Sequence, residues 1–125
     1  MKLHHDEITD RNVITGYADD HVVVNQITHS DNLIILPERL ETGWLTGGFE
    51  ALDAHAVAKL AALGVEIVLL GTGARQRFPA PAVMRPLIEA KIGFEIMDLP
   101  AACRTYNILM GENRNVAAAL FFDPA

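Results

Sequence analysis

The sequence predicts an α/β fold: a three-layer single domain with a central mixed β-sheet, its β-rich N-terminal half packed on an α/β C-terminal half. Three observations lead there. The first half alternates with a period of two between turn residues. From Asp53 onward the pattern becomes helix–strand–helix–strand–helix–strand with short connections. Such connections suit parallel neighbours with right-handed crossovers. The later strands are almost continuously apolar, as strands covered on both faces are.

The elements follow in order. NVITGYAD (12–19) alternates, and Asp19-Asp20 turns it into DDHVVVNQIT (19–28), which reads as a hairpin. DNLIILPE (31–38) is a short strand opened by Asp31-Asn32 and closed by Pro37. TGWLTGG (42–48) reads as a short strand followed by a loop. DAHAVAKLAALG (53–64) repeats Val57, Leu60, Ala61 and Gly64 on one helical face, with Asp53 as N-cap and Gly64 as stop. VEIVLL (65–70) is the next strand. In APAVMRPLIEAKIG (80–93), Pro86 predicts a helix that begins late or bends. FEIMDL (94–99) is a strand, PAACRTYNILMGENR (100–114) a helix, and NVAAALFF (115–122) the last strand. No linker or repeat divides the chain, so residues 1–125 read as one domain, ordered over about 12–123. The polar residues 1–10 are expected to be mobile.

Composition narrows the function. Lys and Arg number 10 and Asp and Glu 16, a formal charge of −6, which argues against a nucleic-acid partner. The opening is polar and lacks an apolar signal segment, and no apolar run is long enough for a membrane span. A single cysteine allows no internal disulfide. The expectation is a soluble cytoplasmic protein.

VEIVLLGTGARQRFPAP (65–81) raises the functional question. Glycine at a strand's carboxyl end lets backbone N–H groups approach an anion. Gly71, Thr72, Gly73, Arg75, Arg77 and Pro79 therefore form the candidate anion or partner site, suited to a small carboxylate, phosphate or sulfate. Nucleotide motifs are absent. No lysine completes a P-loop, and Gln76 holds the third glycine position of the dinucleotide fingerprint. The alternative is a connection that needs glycine only to turn tightly.

Other candidates are weaker. Cys103 lies near a helix start, which lowers a thiol pKa, but it shares helical spacing with Tyr106 and Met110, as a buried side chain would. Asn107 lies at i+4 from it and ties the helix to a neighbouring segment if buried. Cys103, Tyr106 and Asn107 are the accessory candidates. His4-His5-Asp6 is the nearest approach to a metal motif, and neither a metal site nor a cofactor is expected. With Ser30 the only serine and no G-x-S-x-G elbow, a serine hydrolase is not expected. Trp44, among glycines, reads equally as a core plug or an interface anchor.

GTGARQRFPAP, FEIMD, ACRTYNIL and ENRNVAAAL occur in the order found in the domain of unknown function 498, and the chain resembles that family from about Ile14 to Phe122. The matches include Gly71, Thr72, Gly73, Pro79, Asp98, Cys103, Thr105, Tyr106, Asn107, Glu112 and Arg114. Leu99 stands where the family often has threonine, and Asp98 can cap the third helix in its place. The resemblance implies a three-layer domain with no established catalysis. It also implies a protein partner, since the family's best-known member is a mitochondrial assembly factor for NADH:ubiquinone oxidoreductase.

Overall fold

The computed structural model describes residues 11–123. The expected mobility of residues 1–10 and the His4-His5-Asp6 motif lie outside them. Among the described residues, eight strands form two sheets. β1 (Ile14–Ala18), β2 (His21–Val24) and β3 (Ile27–His29) make an antiparallel meander in chain order. β4 (Leu33–Ile35), β5 (Leu40–Thr42), β6 (Ile67–Gly71), β7 (Gly93–Met97) and β8 (Val116–Leu120) form the central sheet in the order β5-β4-β8-β6-β7. β8, β6 and β7 are parallel, while β4 runs antiparallel to both β8 and β5. The sheet is mixed, as expected.

Period-two alternation assigns each strand's residues to two cores. Ile34, Val68, Leu70, Ala117 and Ala119 face one side. There they meet Val57 and Leu60 of α1 (Ala54–Ala61) and Leu87 of α2 (Arg85–Glu89). Leu33, Ile35, Leu69, Ala118 and Leu120 face the other side. They meet Leu99, Cys103 and Tyr106 of α3 (Leu99–Gly111) together with Ile14, Val22 and Val24 of the meander. Helices cover one face, and a helix plus a small sheet cover the other. This is why the central strands carry no polar alternation.

The local signals behave as their chemistry requires. The Asp53 and Asp98 carboxylates accept from Ala56 N at 2.9 Å and Ala101 N at 2.8 Å, each capping its helix. Leu99 is fully buried, so the departure from threonine adds core contact while Asp98 caps. Pro86 falls in the first turn of α2, after a 3₁₀ turn at Pro81–Met84, so the helix begins late. Two expectations are corrected, and one open alternative is decided. Residues 19–28 hold two strands, because Asn25 and Gln26 both have positive φ and make a second tight turn. The strand expected at 42–48 lies at Leu40–Thr42, where backbone pairing with β4 is available. Trp44 is off that strand and buried against Phe121 at 5.9 Å between ring centroids, a core plug.

Candidate functional site

β6 ends at Gly71, and the glycine loop follows at the carboxyl edge of the central sheet. Each glycine has its own reason. A side chain at Gly71 would stand 2.9 Å from Ala102 Cβ and 3.0 Å from Leu120 Cδ2, so close packing of α3 on β8 excludes it. Gly73 adopts φ +99°, and a Cβ there would reach Asp123 Oδ1 at 2.8 Å.

Thr72 is fully buried and organises the loop. Its hydroxyl donates to Arg75 O at 2.8 Å and accepts from Arg77 N at 2.9 Å. Its backbone N–H donates to Met97 O at 2.9 Å, and Gly73 O accepts from Leu99 N at 2.7 Å. The loop is thereby fixed to the end of β7 and the start of α3.

Arg75 and Arg77 part company. Arg75 is exposed and contributes its carbonyl. Arg77 folds back, donating from Nε and Nη2 to Thr72 O at 3.0 and 2.7 Å. Its Nη2 also lies 3.5 Å from Asp123 Oδ1, and its Nη1 lies 3.4 Å from Glu50 Oε2. The guanidinium carbon stands 4.6 Å from the centroid of the Phe49 ring, a cation–π contact. Asp123 completes the arrangement by accepting from Ala74 N at 2.9 Å through Oδ2. The loop thus holds an anion supplied by its own chain. Pro79 is half-buried, and the neighbouring Phe78 is 68% exposed.

Asp123, Glu50, Phe49 and Phe78 were not singled out in the sequence. The register between parallel β6 and β8 pairs Gly71 with Leu120, so residues just past both strand ends meet. No local pattern announces that pairing. Asp123 also lines a cleft of about 1010 Å³ formed with Asp20, His29, Asp31 and Gly47. Neither arginine of the loop lines it.

The accessory candidates lie beneath the loop on α3. Cys103 is 1% exposed, and burial pushes its thiol up to about 12. Tyr106 is buried, donates from its hydroxyl to Asn12 O at 2.8 Å, and is likewise held well above the usual phenol range by burial. Asn107 reaches the bulged strand β1, accepting from Ile14 N at 3.0 Å and donating to Ile14 O at 2.8 Å. These three side chains fasten α3 to the meander. At the opposite sheet edge, Arg114 donates to Glu66 at 2.5 Å and holds that carboxyl below its usual range. No helix among the described residues is long and apolar enough to cross a membrane.

Fold and loop together define a compact mixed-sheet α/β domain whose glycine-rich strand end is closed by an internal carboxylate. The chain belongs to the family described as protein of unknown function (DUF498/DUF598), whose model matches residues 14–121. The NADH dehydrogenase [ubiquinone] 1 alpha subcomplex assembly factor 3 of Danio rerio is 31% identical over 115 residues, covering 90% of this chain and 66% of its own length. The Bos taurus protein of the same name is 31% identical and covers 89% of this chain. The chain spans 61% of that relative. A crystal structure of a Bordetella parapertussis protein superimposes with a TM-score of 0.83 at 38% identity, covering 90% of this chain and 97% of the other.

Proposed function

We propose that this chain is a non-enzymatic assembly factor, working by protein contact in the cytoplasm on subunits of a respiratory NADH dehydrogenase. The observation that carries this reading is the alignment of nine-tenths of the chain with a relative named as an assembly factor for that complex. The chemistry agrees with it. The buried thiol of Cys103 is held protonated, and Tyr106 and Asn107 spend their polar groups on backbone.

We infer that the partner surface is the loop Gly71, Thr72, Gly73, Arg75, Arg77 and Pro79. Phe78 projects there between an exposed Arg75 and two prolines that hold the segment extended. An aromatic side chain beside a free guanidinium is the composition of an interface anchor. Capture with tagged protein, from lysate and from detergent-solubilised membranes, is expected to recover NADH dehydrogenase subunits with the wild type and to lose them with Phe78→Ser. If the wild type captures none of those subunits, the assembly reading fails. If both proteins capture them equally, the partner surface lies elsewhere.

A further inference from the structure

We propose that the glycine loop is a carboxylate-binding site closed in cis by Asp123. An incoming carboxylate would occupy the loop by displacing that side chain. The proposal stands apart from the assembly reading, since it concerns what the loop binds and not which complex the chain serves.

The geometry is that of a ligand in a seat. Asp123 Oδ2 accepts from Ala74 N at 2.9 Å, and Oδ1 lies 3.5 Å from Arg77 Nη2. One oxygen takes a backbone amide and the other faces a guanidinium, which is how a carboxylate ligand is held. The seat also exists before its occupant is counted. Arg77 is positioned by two hydrogen bonds to Thr72 O and by the Phe49 ring, and its backbone N–H is held by Thr72 Oγ1. None of these contacts uses Asp123. Removing the carboxylate therefore leaves donors that remain aimed.

The occupant is held more lightly than the seat. Asp123 lies beyond the end of β8, with its side chain about one-third exposed. Its backbone N–H is tied to Asp19 O at 2.9 Å, but its carboxylate forms part of the wall of a large open cleft. A tethered group acts at an effective concentration in the millimolar range, so it outcompetes a weak free monoanion without needing strong contacts. Glu50 also draws on Arg77, through Nη1 at 3.4 Å, which leaves Nη2 and the Ala74 amide as the exchangeable pair. The ligand class is a carboxylate, either a free small molecule or an acidic side chain presented by a bound chain.

The test is chemical rescue with acetate. Asp123→Ala is titrated with sodium acetate against sodium chloride of equal ionic strength, following backbone amide shifts and the melting temperature. Saturable shifts at Gly73 and Ala74 and an acetate-specific rise in Tm are expected, because binding to the native state raises apparent stability. Both responses should vanish in Asp123→Ala/Arg77→Ala. The wild type separates the ligand sources. A response there means that free small carboxylates displace Asp123. Silence there, with rescue in the variant, means that the displacing carboxylate must be delivered by a chain with further contacts. Should Asp123→Ala not fold unaided, Asp123→Ser is titrated in its place. Acetate that does no more than chloride in the folded variant overturns the proposal and leaves Asp123 as a structural clasp.

Discussion

The glycine loop and the inner face of α3 lie against each other, since Gly73 O accepts from the first N–H of α3, yet they use polar groups in opposite ways. On α3, Tyr106 and Asn107 bond neutral backbone groups of Asn12 and Ile14 under a covered face. In the loop, Arg77 meets carboxylates at a half-exposed edge. Buried neutral partners cannot be exchanged without leaving a group unsatisfied, whereas water replaces a displaced surface carboxylate readily. The first arrangement fastens two layers; the second can trade one partner for another.

That contrast can be broken from either side. The largest effect is expected at Tyr106. Tyr106→Ala should cost about 3–5 kcal/mol, by leaving a cavity between α3 and the meander. Tyr106→Phe should cost only about 1–2 kcal/mol, by orphaning Asn12 O. Denaturant midpoints measure both, and equal losses would mean that the ring's packing contributes little. Asn107→Ala comes next, at about 1–3 kcal/mol, because both backbone groups of Ile14 lose their partner. Amide exchange at Ile14 should accelerate in the same variant, and an unchanged rate would deny the fastening role.

Cys103 sharpens the contrast through pH. Its thiol is raised from 9.0 to about 12 in the folded protein, so the unfolded chain loses this proton first. The stability it contributes is complete below 9.0 and is lost as pH rises towards about 12. Thiol labelling at neutral pH should therefore track global unfolding, and fast labelling of the native protein would count against burial. Arg75→Ala should have the smallest effect on folding, within about 0.5 kcal/mol, since its side chain is exposed. A thermal melt checks this, and a loss above about 1 kcal/mol would reveal a structural contact for that side chain.

Much of the fold was legible. Asp53 and Asp98 announced their helices, Pro86 announced a late start, and the apolar runs of β6 and β8 announced a sheet covered on both faces. The second tight turn was missed because Asn25-Gln26 lacks the glycine that marks such turns. Trp44 was ambiguous because its glycine neighbours suggest a loop whether the indole points in or out.

The sequence by itself determined most of the elements, their alternation, the helix caps and a glycine loop at a strand end. Each of these depends on residues a few positions apart, where periodicity and capping act. Only the tertiary structure decided what the loop holds. Asp123 lies 49 positions from Ala74 and Glu50 lies 27 from Arg77. Asp123 and Ala74 meet because β8 inserts beside β6 in parallel, with Leu120 opposite Gly71. Strand order and register come from the packing of whole layers, and no local pattern carries them.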